Sequence, residues 1–417
     1  SILNLINNNY IVYSDFKDSH KQMKIEDIQD QLDAYTTIIE YFIISKQIYI
    51  LIISNNDYYF IRNEIKTDIS ILINEYILSM KFIENVCYKF SYQLYQILIK
   101  PIEPYIKNKK NLIIIPDESL LCLPFESILV KEIDSINKSR LKYLIHDYII
   151  NYHYSTDLWL DGVQKKSVYL KKDKKKFIGF APKFGHEHKL YCPNNLERSN
   201  NLKVKYNIFK YPVFLEIDSL YYSIKELNQI SDILFEDGYS TMILLNDDAS
   251  ESNFIKYCSD FEMIHIASHA FINEENPLNS GILFGDISTS FNQNEKDILE
   301  FNNRTDGVLY LNEIFNLDLT TELVVISSCE SGLGKLIKGE GIISFSRGFL
   351  YAGAKNIIIS LWNVNDYTSY KFMKLFYRNY VRLRSYSRAI RITKLELMQD
   401  PTCAHPYYWS PFVLIGN

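Results

Sequence analysis

Two side chains carry the chemistry of an acyl-transfer pair. Cys329 stands in the stretch ELVVISSCESGLGKL, residues 322–336, where four apolar residues climb into two serines and then the thiol. His269 closes the stretch MIHIASH sixty residues earlier. A thiol becomes a nucleophile only when a base or positive surroundings draw off its proton, and an imidazole at a neighbouring strand end does this. The glycine-rich turn after Cys329 lets backbone N–H groups face a developing oxyanion. Free cysteines are also commonly buried as small apolar residues, so residue type alone leaves Cys329 open between nucleophile and core.

The competing readings are weaker. SGLGKL is not a phosphate-binding loop, because the position five before Gly334 is Cys329 and Leu336 follows Lys335 where Ser or Thr is required. No G-x-S-x-G elbow surrounds Ser327, Ser328 or Ser331. His186, His188 and Cys192 are three metal-ligand types without a fourth at a recognisable spacing, so no metal and no cofactor are expected. His265 lies four residues before His269, deeper in the same strand, and reads as a core histidine bonded to a neighbour.

The strands that must deliver these residues are legible. In open parallel α/β sheets, sites form at the carboxyl ends of strands. From residue 216 onward, short uncharged β-branched runs alternate with helical stretches. The strands are TMILLN, EMIHIAS, ELVVISS, NIIISLW and the closing YYWSPFVLIG; the helices cover 218–236, 249–257, 340–353, 366–382 and 386–399. That alternation predicts a mainly parallel sheet covered on both faces. Upstream, TTIIEYFII, QIYILIIS and YYFIRNEI read as an antiparallel meander. Residues 67–106 have helical periodicity, and NLIII is a buried strand stopped by Pro116. LPFESILV is expected to open a helix, 143–156 to be a strand, KKDKKK at 171–176 a solvated linker, and 183–215 a long variable loop.

Bulk properties restrict the function class. At 417 residues the chain exceeds one small core, and its apolar fraction of 47% is that of a globular protein. A net charge of −5 provides no global nucleic-acid footprint. No apolar run reaches the ~18 residues of a membrane span. SILNLINNNY has neither the basic start nor the cleavage site of a signal peptide, and without an initiator Met it reads as the beginning of a fragment. The six cysteines lie far apart with no CxxC, as expected of free thiols in a reducing cytoplasm. The 33 tyrosines are attributed to genome composition rather than chemistry.

These residues resemble the CHAT domain, a caspase-like cysteine protease family related to separase. The resemblance runs from about residue 27 to 417. It is carried by IIIPDESLLCLPFESI, IHIASHA, NPLNSGILF, the long cysteine segment VVISSCESGLGKLIKGEGIISFSRGFLYAGAKNIIISLWNVND, and HPYYWSPFVLIG. It implies a caspase-like three-layer α/β/α sandwich whose active half is preceded by a degenerate half lacking the dyad. On that basis 1–26 is an N-terminal extension ending an upstream region, 27–160 the pseudo-caspase-like half, 161–215 linker and variable loop, and 216–417 the protease half.

The resemblance further implies a catalytic dyad of His269 and Cys329, and an oxyanion hole of backbone N–H groups at Ala270 and Gly332. Caspase-like enzymes often have glycine where Ala270 stands, and alanine resists a positive φ. Asp366, in LWNVND, matches an acid that receives a basic P1 side chain in separases; the alternative is an N-cap for the helix that follows. The implied partners are a protein substrate and an activating partner or upstream helical-repeat sensor, with no nucleic acid and no membrane. The implied role is a cytoplasmic endopeptidase, plausible in bacterial signalling or defence. The alternative is a catalytically weak binding module of the same fold.

Overall fold

The uncharged β-branched runs become strands of one sheet. The structure, a computed structural model, describes residues 24–65, 67–84, 87–132, 141–169, 175–184, 189–192, 213–216, 220–273, 276–285, 306–327, 335–337, 341–362 and 364–416. A short helix, Ile25–Gln29 (α1), leads into Thr36–Ile44 (β1), Gln47–Ser54 (β2) and Tyr58–Glu64 (β3), which form the antiparallel meander. Ile69–Lys81 (α2) starts at Asp68, whose carboxylate accepts from the Ser70 N–H at 2.9 Å. Cys87–Leu94 (α3) and Glu103–Ile106 (α4) follow, then Asn111–Ile115 (β4), Ile149–Tyr152 (β5) and Thr156–Tyr169 (α5).

Two expectations in this half are corrected. LPFESILV makes only a 3₁₀ turn, Phe125–Ser127, after which Leu129 bridges to Tyr143. Pro124 supplies no N–H, and residues 123–129 are all buried, without the exposed face of an amphipathic helix. Residues 143–156 give a strand of four residues, because Leu144–His146 form another 3₁₀ turn.

The second half begins earlier than the sequence indicates. Lys176–Ala181 (β6), inside the stretch read as linker, is a buried strand of the main sheet, and α5 runs through the start of that stretch. Residues 171–174 and most of 183–215 lie outside the described residues; within the latter, Lys189–Cys192 (β7) and Val213–Glu216 (β8) pair antiparallel. Then come Ser223–Glu236 (α6), Ser240–Leu245 (β9), Glu251–Tyr257 (α7), Met263–Ile266 (β10), Ala270–Phe271 (β11), Gly281–Leu283 (β12), Val308–Tyr310 (β13) and Leu311–Ile314 (α8). Ser250 caps α7, its hydroxyl accepting from the Asn253 N–H. Leu323–Ile326 (β14) precedes a hairpin, Lys335–Ile337 (β15) with Gly341–Ile343 (β16), so the helix expected at 340–353 is shorter: Phe345–Tyr351 (α9). Asn356–Ser360 (β17), Asp366–Leu383 (α10), Tyr386–Met398 (α11), Pro406–Trp409 (α12) and Phe412–Gly416 (β18) complete the series.

Eleven strands share the sheet in the order β3-β2-β1-β4-β5-β18-β17-β14-β10-β6-β9. Parallel pairing links β1 through β4 and β5 to β18, and links β17 through β14, β10 and β6 to β9. The junction, β17 with β18, is antiparallel. The set β1, β4, β5 and β18 therefore runs opposite to the set β17, β14, β10, β6 and β9, and the carboxyl ends of β10, β14 and β17 meet the amino ends of β4 and β5 at one edge. Alternation fixes the layers. His265 and Gly179 face α6 and α10, where a Cβ on Gly179 would stand 2.8 Å from Leu227, whereas Phe180 faces α7 and α9 through Phe254 and Phe349.

A buried ion pair joins the halves. Lys394 of α11 donates to Glu126 at 2.6 Å, both nearly inaccessible, and the Tyr152 hydroxyl donates to the other oxygen of Glu126. Among the described residues, no helix is long and apolar enough to cross a membrane.

Candidate active site

Three neighbouring parallel strands, β10, β14 and β17, end at the same edge. Ile266 is in register with Ile326, and Val325 with Ile358. All three are buried along their whole length. Adjacent strands lie ~4.8 Å apart, so the three exits span roughly 10 Å.

His269 leaves β10 through a constrained turn. The Ala267 N–H donates to the Phe180 carbonyl at 2.9 Å, and the buried Ser268 hydroxyl donates to the Leu283 carbonyl at 2.5 Å. The Leu283 N–H then donates to the His269 carbonyl at 2.9 Å. The backbone is thus tied on both sides of the imidazole. The ring, half-buried, packs at 5.4 Å between centroids and 57° against the buried Phe184, three residues beyond β6.

Ala270 pairs with Ile282 in β11–β12, and the ladder bond there runs from Leu283 to His269. In an antiparallel ladder, a residue flanked by such bonds turns its own N–H away from the partner strand. The non-glycine residues with positive φ among those described are Ser45, Ile83, Asn246 and Arg384. Ala270 therefore presents its N–H without the conformation that alanine resists.

On β14 the Ser327 N–H donates to the Ile266 carbonyl at 2.8 Å, holding the two exits together. Cys329 and Gly332 lie outside the described residues. The chain beyond them is anchored by the first half: the Tyr154 hydroxyl lies 2.8 Å from Ser344 Oγ and 2.6 Å from Ser346 Oγ, at the start of α9.

Asp366 lies beyond β17, and the cap of its helix is its neighbour. Asn365 accepts from the Thr368 N–H at 2.8 Å. The Asp366 carboxylate instead accepts from the Tyr222 N–H at 2.6 Å, at the start of α6. Burial raises its pKa, the Tyr222 and Tyr221 N–H groups oppose that, and the Glu226 carboxylate adds to it. A carboxylate has about four acceptor sites, so these contacts leave room for a further donor.

His265 is the expected core histidine, bonded to Glu226 at 2.8 Å and to the Tyr377 hydroxyl at 3.1 Å beneath the site. Sequence reasoning missed Phe184, Tyr154 and Glu226. Phe184 alone had a signal, as the last apolar residue of FIGFAPKF.

Comparison with known proteins bears on the fold that carries these residues. The CHAT domain model matches residues 89–417. Human tetratricopeptide repeat protein 28 is 30% identical over 105 residues, covering 25% of this chain and 4% of that protein; its mouse counterpart is 29% identical over the same length and shares. The chain thus corresponds to a small part of these relatives. Among solved structures, the Saccharomyces cerevisiae separase–securin complex at 3.0 Å superposes with a TM-score of 0.52 at 9% identity, covering 94% of this chain and 30% of that one. That likeness is one of fold.

Proposed function

The chain belongs to the CHAT domain family, and on that premise we propose that it is a cysteine endopeptidase with His269 as base and Cys329 as nucleophile. The observation that carries the reading is the common edge of β10 and β14, locked by the Ser327–Ile266 bond: His269 follows β10 by three residues, and in the sequence Cys329 follows Ser327 by two. His269 takes the Cys329 proton, and the thiolate adds to the scissile carbonyl. The Ala270 N–H, with backbone near Gly332, holds the oxyanion. Imidazolium then protonates the leaving amine, and water, deprotonated by His269, hydrolyses the thioester. Asp366 supports a basic P1 side chain, which would pair with the carboxylate oxygens that the Tyr222 bond leaves open.

The substrate is a protein, and a partner or upstream sensor region switches the enzyme on, in a bacterial signalling or defence setting. A thiolate nucleophile suits the reducing cytoplasm, and Cys87, Cys122, Cys258 and Cys403 form no disulfide. The test is a search for new protein N-termini produced by wild type and not by Cys329→Ala. Cleavage after Arg or Lys, lost with Cys329→Ala, is expected. Equal cleavage by both proteins refutes the mechanism, and cleavage after other residues removes Asp366 from specificity. A thiol-reactive probe should label Cys329 faster than the other five cysteines; equal rates would leave a binding module of the same fold.

A further inference from the structure

The meander that begins the sheet has an apolar face that the described residues leave uncovered. Cross-strand register places Phe42 beside Tyr49, Leu51 beside Phe60, and Ile53 beside Tyr58. Because side chains alternate, Phe42, Ile44, Tyr49, Leu51, Tyr58 and Phe60 share one face. Tyr49 and Phe60 stack at 5.7 Å and 23°. Phe60 is 64% exposed, Ile44 60% and Tyr58 58%. β3 is also the last strand of the sheet on this side, so its outer N–H and C=O groups are unpaired by the ladder. A contiguous aromatic patch on an open edge marks an interaction surface.

The position of α1 points to the occupant. Ile28 is buried with Ile38 and Ile53, and Ile25 and Leu51 pack against that cluster, so α1 lies on the near end of this face. Gln29 donates to the Ser54 carbonyl at 2.8 Å and fixes it there. The chain before Lys24 thus starts from the edge of the patch. Residues 1–14, SILNLINNNYIVYS, contain no charged side chain and eight apolar ones, and the nine residues 15–23 separate them from Lys24. Nine residues reach up to ~30 Å, the length of a nine-residue strand such as β1. An uncharged apolar segment and an uncovered apolar face are therefore tethered within reach of each other.

We propose that residues 1–14 cover the exposed face of β1–β3 in the same chain. The segment shields Phe42, Ile44 and Phe60 from water and blunts the open edge of the sheet.

A photoreactive p-benzoylphenylalanine at position 60 of the full chain tests this. Irradiation should give an intramolecular cross-link whose peptide maps to residues 1–14, with the protein remaining a monomer. The same probe at Phe235, 70% exposed on α6, is the control. Replacing Ile11 and Val12 by Asp should lower the position-60 yield by about tenfold or more, because apolar contacts exclude an unpaired carboxylate. Neither residue belongs to the described core, so circular dichroism should be unchanged. Cross-links to a second copy, to another part of the chain, or at no more than the Phe235 level overturn the proposal. So does a yield that the double Asp variant leaves unchanged.

Discussion

Removing Lys394 should cost more than removing both members of its ion pair. Lys394 is fully buried and Glu126 is 3% exposed, with 2.6 Å between Nζ and Oε1. Burial lowers the Lys394 pKa, and the charge and hydrogen bond of Glu126 oppose that. Lys394→Met leaves a carboxylate buried beside only the Tyr152 hydroxyl, a change that costs ~3–5 kcal/mol in comparable pairs. A chain of 417 residues melting as one unit has an entropy of roughly 0.9 kcal/mol/K, so the melting temperature should fall by about 3–6 °C. Adding Glu126→Gln removes the orphaned charge while keeping an acceptor for Tyr152, and should recover most of the loss. Urea denaturation followed by circular dichroism, beside calorimetry, measures both variants. A cost below about 1 kcal/mol for Lys394→Met, or no recovery in the double variant, would refute the argument. The pair also ties α11 of the second half to the Phe125–Ser127 turn of the first.

Other outcomes follow from single sites. Burial holds the His153 pKa down to about 4, against a backbone hydrogen bond with Ser155. Between that value and 6.5 the unfolded chain carries a proton that the folded one does not, so stability falls on acidification through this window and levels off below it. The loss should reach about 3 kcal/mol by pH 4 and be absent in His153→Asn, in denaturation series from pH 7.5 to 4. Gly353 has φ of +111°, and a Cβ would stand 2.2 Å from the Leu319 carbonyl oxygen; Gly353→Ala should cost at least ~2–3 kcal/mol, measured the same way. Phe184→Leu keeps most of the buried volume and should change stability by less than ~1.5 kcal/mol. It should nevertheless lower kcat about tenfold by freeing the His269 ring, and an unchanged kcat would remove Phe184 as a positioning residue.

The second half was legible because its strands are short, uncharged and β-branched between amphipathic helices, a pattern set by burial on both faces. MIHI, LVVI and NIIIS all became central strands, and the helices at 366 and 386 began within a residue of their expected starts. KFIGFA was passed over because it follows a lysine run, yet it completes the sheet between β10 and β9. His269 could be placed at a strand end from spacing alone. What spacing could not supply was the support from distant chain: Phe184 on the ring, Tyr154 at α9, and the Tyr222 N–H on Asp366. Such contacts join residues between 85 and 192 positions apart, where no periodicity reports them. The opposed directions of the two parallel sets of strands were equally hidden, because they depend on the antiparallel pairing of β17 with β18.

That pairing also orders events in time. β18 pairs along five residues with β17 on one side and joins β5 on the other, in the middle of the sheet, although it follows every other described strand along the chain. A ribosome-bound chain can form the two halves but not close the gap between them until residues 412–416 emerge. A copy truncated before residue 412 would leave β5 and β17 as two unpaired inner edges, prone to association.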